Sequence, residues 1–203
     1  MNEDLIQPPK TALLLFHYQN DPIHPDGKLA NWGMAAMAQE QAVLEHSRAL
    51  LDWGRIKGLL VLHLVYAFKK DHSDVPANSP LYARLRESDG LVEGTWGAEI
   101  HESFRPRQGE PVIKKPRVSA FAGTAVDELL RSRGIDTLIL AGFTTNWVIE
   151  STARQAMDLG YRLVVVEDCM GSFNRTLHEF AIEHIYPQIS TVVRVSDLVS
   201  LYA

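Results

Sequence analysis

The chain has 203 residues, of which 46% are hydrophobic and 22% are charged. These proportions are typical of a folded globular protein and exclude an intrinsically disordered one. The length suits one hydrophobic core, so we expect a single domain over residues 1–203. The formal net charge is −5 and no run of Lys and Arg is present, which argues against a nucleic-acid partner.

Apolar stretches and the cysteine count exclude further classes. Stretches such as 59–65 and 138–142 are too short to cross a bilayer, and residues 1–10 lack the apolar centre of a signal peptide. We therefore expect a cytoplasmic protein without a membrane partner. The single cysteine, Cys169, excludes an intramolecular disulfide and a cysteine-based zinc cluster.

Continuous apolar runs alternate with longer segments of helical periodicity. Because these runs do not alternate between apolar and polar residues, they are typical of strands in a parallel sheet with both faces covered. The predicted strands are residues 11–16, 59–65, 111–113, 137–141, 162–166 and a short sixth run, 191–195.

The helical segments predict crossover connections between these strands. Residues 35–57, 125–133 and 147–159 carry apolar side chains at helical spacing, and each is followed by a glycine. Right-handed crossovers of this kind wind into an α/β fold, a three-layer α/β/α sandwich with a doubly wound, mostly parallel sheet. Residues 71–97 are polar and rich in Pro and Gly, which predicts a loop that either builds a binding site or is a solvated excursion.

Polar residues follow four of the predicted strands. Ligands of such sheets bind outside the carboxyl ends of the strands, so residues 17–21, 114–121, 142–146 and 167–169 are the candidates. We expect Thr145 or Asn146 to cap the following helix and leave its first amides free to hold an oxyanion. The alternative is an ordinary capped helix start.

Several motifs occur in one order and resemble the isochorismatase-like, or cysteine hydrolase, family over nearly the whole chain. They are residues 12–16 followed by Gln19-Asn20-Asp21, the segments 94–101 and 115–124, the turn Gly142-Phe143-Thr144-Thr145-Asn146, and the segments 150–156 and 160–161. The resemblance implies hydrolysis of amide, carbamoyl or related bonds in small molecules by an aspartate, a lysine and a cysteine nucleophile. It also implies a homodimer or homotetramer and a cis peptide between Phe143 and Thr144.

Two of the three catalytic positions implied by the resemblance hold other residues. His17 stands at the aspartate position, Lys115 at the lysine position and Val148 at the cysteine position. An isopropyl group cannot attack a carbonyl, so covalent thiol catalysis by the usual route is not expected. Cys169 is an alternative nucleophile if it reaches the cleft, although a lone cysteine is usually a small buried hydrophobe.

Two interpretations of the site remain open. In the first, the chain is a hydrolase without a cysteine nucleophile, acting on a vinyl ether or C–N bond of a small anionic or cyclic metabolite. His17 is then the acid or base, since imidazole titrates near neutral pH and Lys115 tends to lower its pKa. Lys115 is the cation for the substrate or transition state. In the second, His17 is a structural histidine and the chain is an inactive paralogue that binds a small metabolite or a protein partner.

The remaining predictions concern the walls of the site. The predicted substrate-binding residues are Trp96, Phe121, Phe143, Thr144, Asn146, Trp147 and Val148. We expect no metal, because His24, Asp26, His63 and His72 match no compact ligand motif, and no cofactor.

Overall fold

The structure, a computed structural model, describes residues 5–201, and residues 1–4 and 202–203 of the predicted domain lie outside the described residues. Six parallel strands form one sheet in the order β3-β2-β1-β4-β5-β6. The strands are β1 Thr11–Phe16, β2 Leu60–Val65, β3 Val112–Lys114, β4 Thr137–Phe143, β5 Arg162–Gly171 and β6 Thr191–Val193. The predicted α/β class with a parallel sheet is confirmed.

Both faces of the sheet are buried, which explains the continuous apolar runs. Along β1, Leu13 and Leu15 belong to one core cluster, whereas Leu14 and Phe16 belong to the other. Successive strand residues point to opposite faces, so both sets must be apolar when helices cover both sides.

Helices form the two outer layers. The α-helices are α1 Asn20–Ile23, α2 Met34–Glu40, α3 Val43–Ile56, α4 Pro80–Glu87, α5 Val126–Ser132, α6 Glu150–Asp158, α7 Arg175–Phe180, α8 Tyr186–Ile189 and α9 Val195–Leu201. Residues of α2, α3 and α9 pack in one core cluster and residues of α5, α6 and α8 in the other. Among the described residues, no helix has the length and apolar composition that a bilayer span requires.

Two of the predicted segments differ in the structure. The helix predicted over 35–57 is divided into α2 and α3, because Ala42 adopts a left-handed conformation with φ 51°. The loop predicted over 71–97 was wrong for Pro80–Glu87, which is α4. Ser79 caps this helix by accepting a hydrogen bond from the Tyr82 N–H, and Pro80 occupies its first turn, a local signal that outweighed the polar composition.

Candidate active site

The candidate site lies where the two halves of the sheet meet. Strands β1 and β4 are neighbours in the centre, and the chain winds outward from them in opposite directions. This switch in direction leaves a crevice beyond the carboxyl ends of the two strands, the usual ligand position in such folds. His17 follows β1 there and Phe143 ends β4.

An apolar cavity occupies this crevice. The centres of water-sized spheres can occupy about 60 Å³ of it, and the space free of atoms is about 540 Å³ when the open solvent at its mouth is included. Its lining residues are His17, Pro22, Leu29, Trp32, Met34, Tyr66, Leu81, Tyr82, Leu85, Leu91, Val118, Phe143, Thr144, Trp147, Val148 and Phe173. Among these described lining residues, His17 is the only histidine, and none is Lys, Arg, Asp or Glu.

Hydrogen bonds around Gln19 fix the tautomer of His17. The Gln19 Nε2 donates to the carbonyl oxygens of Tyr66 (2.6 Å) and Ala98 (2.7 Å), and its Oε1 accepts from the Tyr66 N–H (2.9 Å). The same Oε1 lies 3.2 Å from His17 Nδ1. Because Oε1 can only accept, Nδ1 carries the proton, and the neutral imidazole has its lone pair on Nε2.

The other ring nitrogen of His17, the buried Nε2, forms no hydrogen bond to the described residues, 5–201. The ring is 4% exposed and stacks on Tyr66 with the ring centroids 4.5 Å apart. Burial lowers the pKa of His17 well below its ordinary value, and the positive charge of Lys115 lowers it further, against a smaller opposing effect of Gln19. The imidazole is therefore neutral at neutral pH.

Lys115 is buried behind Tyr66 rather than exposed to the cavity. Its ammonium donates to the carbonyl oxygens of Arg117 (2.9 Å) and Val118 (3.0 Å) and lies 3.7 Å from the centre of the Tyr66 ring. Two carbonyls and an aromatic face occupy the three N–H groups of an ammonium. Burial lowers the pKa of Lys115 well below its ordinary value.

Tyr66 is a site residue that the sequence analysis missed. It directly follows β2, the strand between β1 and β3, so its ring lies between His17, which follows β1, and Lys115, which follows β3. Its position in the sequence indicates a site residue, because Tyr66 is the first residue after an apolar strand, as His17 is after β1.

Asp21 joins two walls of the cavity. Its carboxylate accepts hydrogen bonds from the backbone N–H groups of Lys28 (2.9 Å) and Leu91 (2.6 Å). Leu91 lines the cavity, and Lys28 precedes the lining residue Leu29. It also packs against Gly97, where an added Cβ would lie 2.2 Å from a carboxylate oxygen. The segment around Leu91 is thereby held over the cavity.

Comparisons with known proteins identify the family. The family model described as "Isochorismatase domain" matches residues 11–197. The chain belongs to the isochorismatase family. It is 31% identical to the maleamate amidohydrolase of Pseudomonas putida KT2440 over 93% of this chain and 84% of that protein.

Two solved structures show the same fold. An isochorismatase family protein from Desulfovibrio vulgaris is 32% identical, with a TM-score of 0.82 over 95% of this chain and 98% of that one. The N-carbamoylsarcosine amidase from Thermoplasma acidophilum is 27% identical, with a TM-score of 0.74 over 92% and 96%. The fold inferred from the isochorismatase-like resemblance is therefore confirmed, as is the cis peptide between Phe143 and Thr144.

The structure brings only part of the predicted substrate-binding set to the cavity. Phe143, Thr144, Trp147 and Val148 line it, together with His17. The remaining three do not. Trp96 lies edge-on to His24, Phe121 stacks on Tyr161, and Asn146 is hydrogen-bonded to Ser172.

The prediction that Thr145 or Asn146 caps the helix after the turn at residues 142–146 was wrong. A five-residue π-helical turn, Thr145–Ile149, precedes α6, and the Ile149 N–H donates to the Thr144 carbonyl oxygen (3.0 Å). The Thr145 hydroxyl bonds to His178 instead (2.8 Å), while Asn146 bonds to Ser172. Both side chains are therefore bonded to residues distant in the sequence and do not cap the helix.

Cys169 is not among the described residues that line the cavity. It is fully buried, in the core cluster that contains α3. Burial raises the pKa of the Cys169 thiol well above its ordinary value, and the neighbouring Asp168 raises it further. This environment disfavours the thiolate that a nucleophile requires.

Proposed function

We propose that the chain is a hydrolase that works without a cysteine nucleophile, using neutral His17 as a general base toward water. The observation that carries the proposal is the free Nε2 of a buried His17 on the cavity wall, with Nδ1 held protonated by Gln19. A general base needs an unshared lone pair, which Nε2 retains, and it needs the attacking water to reach this buried atom from the cavity that His17 lines.

The tautomer favours C–N hydrolysis over vinyl ether cleavage. Vinyl ether cleavage begins with a proton donor, but the proton of neutral His17 is on Nδ1 and bonded to Gln19. In C–N hydrolysis, Nε2 accepts a proton as the water oxygen attacks the carbonyl carbon. It then returns that proton to the nitrogen as the C–N bond breaks, which restores neutral His17. The names of the amidohydrolase and amidase relatives support this bond class.

The surrounding residues have supporting roles in this proposal. Thr144 is the candidate donor to the developing oxyanion, because its polar side chain belongs to the cavity wall that Phe143 and Val148 also line. Lys115 acts from behind Tyr66, where its charge disfavours the imidazolium and keeps Nε2 a free acceptor. Direct contact between Lys115 and substrate would require it to leave its two carbonyl partners.

A second function is favoured by Val148. Its apolar side chain lines the cavity at the position where the resemblance implies the nucleophile. An inactive relative that binds a small metabolite would have the same feature. Such a protein returns its ligand chemically unchanged.

Turnover by matched variants tests the proposal. A panel of small amides, carbamates and isochorismate is incubated with wild type, His17→Asn, Cys169→Ala and His184→Asn, and products are measured by mass spectrometry. Asn tolerates the left-handed conformation of residue 17 (φ 54°) but removes the ring base. We expect His17→Asn to lower turnover by about 10²- to 10⁴-fold.

The two other variants are controls. His184 is 60% exposed, and Cys169 is not among the described residues that line the cavity, so both variants should retain wild-type turnover. Loss of activity in Cys169→Ala would restore the thiol mechanism. No product from any substrate would leave the binding paralogue as the better account.

A further inference from the structure

We infer that the cavity selects an uncharged ligand with a ring-shaped or otherwise apolar body and one hydrogen-bond donor directed at His17 Nε2. This inference rests on the proposed function, because it takes the same cavity as the substrate site, and it narrows the substrate class. The sequence analysis left an anionic or a cyclic metabolite open, and this inference favours the cyclic one.

The walls of the cavity are largely apolar and uncharged. Most described lining residues are aliphatic, aromatic or sulfur-containing, and none carries a formal charge. The lining side chains with polar atoms are those of His17, Thr144, Tyr66, Tyr82, Trp32 and Trp147. An ionised carboxylate entering such walls loses its hydration without gaining a counter-charge, which is costly. A ring packed among Trp32, Phe143 and Trp147 gains apolar and aromatic contacts instead.

The nearby cation, Lys115, is already bound by groups of the protein itself. Lys115 has its ammonium on two carbonyl oxygens and the Tyr66 ring, and Tyr66 separates it from His17. A carboxylate in the cavity therefore meets the Tyr66 ring and not the Lys115 ammonium.

His17 Nε2 is a hydrogen-bond acceptor without a partner among the described residues. His17 is only 4% exposed, and its Nε2 is buried. Buried polar atoms are nearly always hydrogen-bonded, so a missing partner marks a place for a ligand group. Because Gln19 holds the proton on Nδ1, the group that completes Nε2 must be a donor such as O–H or N–H.

Three ring compounds of similar shape separate these requirements. Phenol is uncharged at pH 7 and offers one donor, toluene replaces that donor by a methyl group, and benzoate carries a negative charge. Dissociation constants are measured by ligand-observed NMR for wild type, His17→Asn and the exposed-histidine control His184→Asn. None of the three compounds has a C–N bond, so turnover does not enter the measurement.

We expect phenol to bind wild type about 10-fold more tightly than benzoate, a difference of about 1.4 kcal/mol. We expect a similar advantage of phenol over toluene, which His17→Asn abolishes and His184→Asn retains. In wild type, phenol should also shift the ¹⁵N resonance of His17 Nε2 while toluene leaves it unchanged, a result that does not depend on how the variant folds.

Equal or tighter binding of benzoate would overturn the inference, as would equal binding of toluene or no binding of any compound. Selective phenol binding without hydrolysis of any amide would instead contradict only the proposed function. Hydrolysis restricted to anionic amides would contradict only the selectivity inferred here.

Discussion

Two buried histidines, one just beyond β1 and one within the neighbouring β2, differ in how their ring nitrogens are used. His63 is the fourth residue of β2, level with Leu15 of β1, and its Nε2 lies 3.0 Å from Glu110. Glu110 also binds the Arg55 guanidinium through both oxygens, at 2.7 and 2.8 Å. His17, beyond the carboxyl end of β1, has one nitrogen bound and one free.

This contrast separates a structural histidine from a candidate catalytic one. The Arg55–Glu110–His63 group gives each charge a partner, so its burial is compensated and nothing remains for a ligand. His17 has equal burial with an incomplete set of partners, beside a cavity. Burial lowers the pKa of both histidines, but the carboxylate of Glu110 opposes the effect at His63 whereas Lys115 reinforces it at His17.

The largest expected effect is a loss of folding stability when the Arg55–Glu110–His63 group is broken. Glu110→Gln removes the carboxylate that binds the Arg55 guanidinium, whose side chain is 8% exposed, and leaves Asp52, 3.9 Å away, as its remaining ion pair among the described residues. We therefore expect a loss of about 3–5 kcal/mol in unfolding free energy. Urea unfolding measures it. The matched control is Glu179→Gln, which removes the partner of the exposed Arg175 and should cost less than about 1 kcal/mol. Equal losses in the two variants would show that the buried network is not structural.

A smaller effect concerns the pH dependence of stability. The folded state holds His17 neutral because burial lowers its pKa, whereas an unfolded histidine takes up a proton near pH 6.5. The stabilisation is therefore complete above pH 6.5 and is lost as the pH falls, by up to about 1.4 kcal/mol at pH 5.5.

Urea unfolding of wild type and His17→Asn at pH 7.5, 6.5 and 5.5 measures this contribution. We expect a flatter pH profile for the variant, and a smaller change of slope for His63→Gln because Glu110 supports the protonated form of His63. Identical slopes for wild type and His17→Asn would contradict a strongly suppressed protonation at His17.

Much of the fold was predictable because the strands are buried on both faces. Their apolar runs are continuous in the sequence, and the parallel sheet follows from that pattern. The break at Ala42 was not predictable, since neither Gly nor Pro marks it and tertiary packing imposes the left-handed residue. Strand β5 continues to Gly171, past the polar Glu167 and Asp168 that the pattern took as its end.

The candidate site was predictable in place but not in its contacts. The motif order located His17, Phe143, Thr144 and Val148 at one edge of the sheet. It could not show that Tyr66 comes between His17 and Lys115, because that depends on the strand order β3-β2-β1. Nor could it show that Asn146 would bond to Ser172, a residue distant in the sequence.

The central claim is that His17 is neutral, with the proton on Nδ1 and a free lone pair on Nε2. Long-range ¹H–¹⁵N correlation spectra of protein labelled with ¹⁵N-histidine report the protonation of each ring nitrogen, with His17→Asn used to assign the signals. The account predicts a protonated Nδ1 and an unprotonated Nε2 at pH 7, unchanged down to pH 6. A protonated Nε2 at pH 7, in either the cation or the other tautomer, would contradict it.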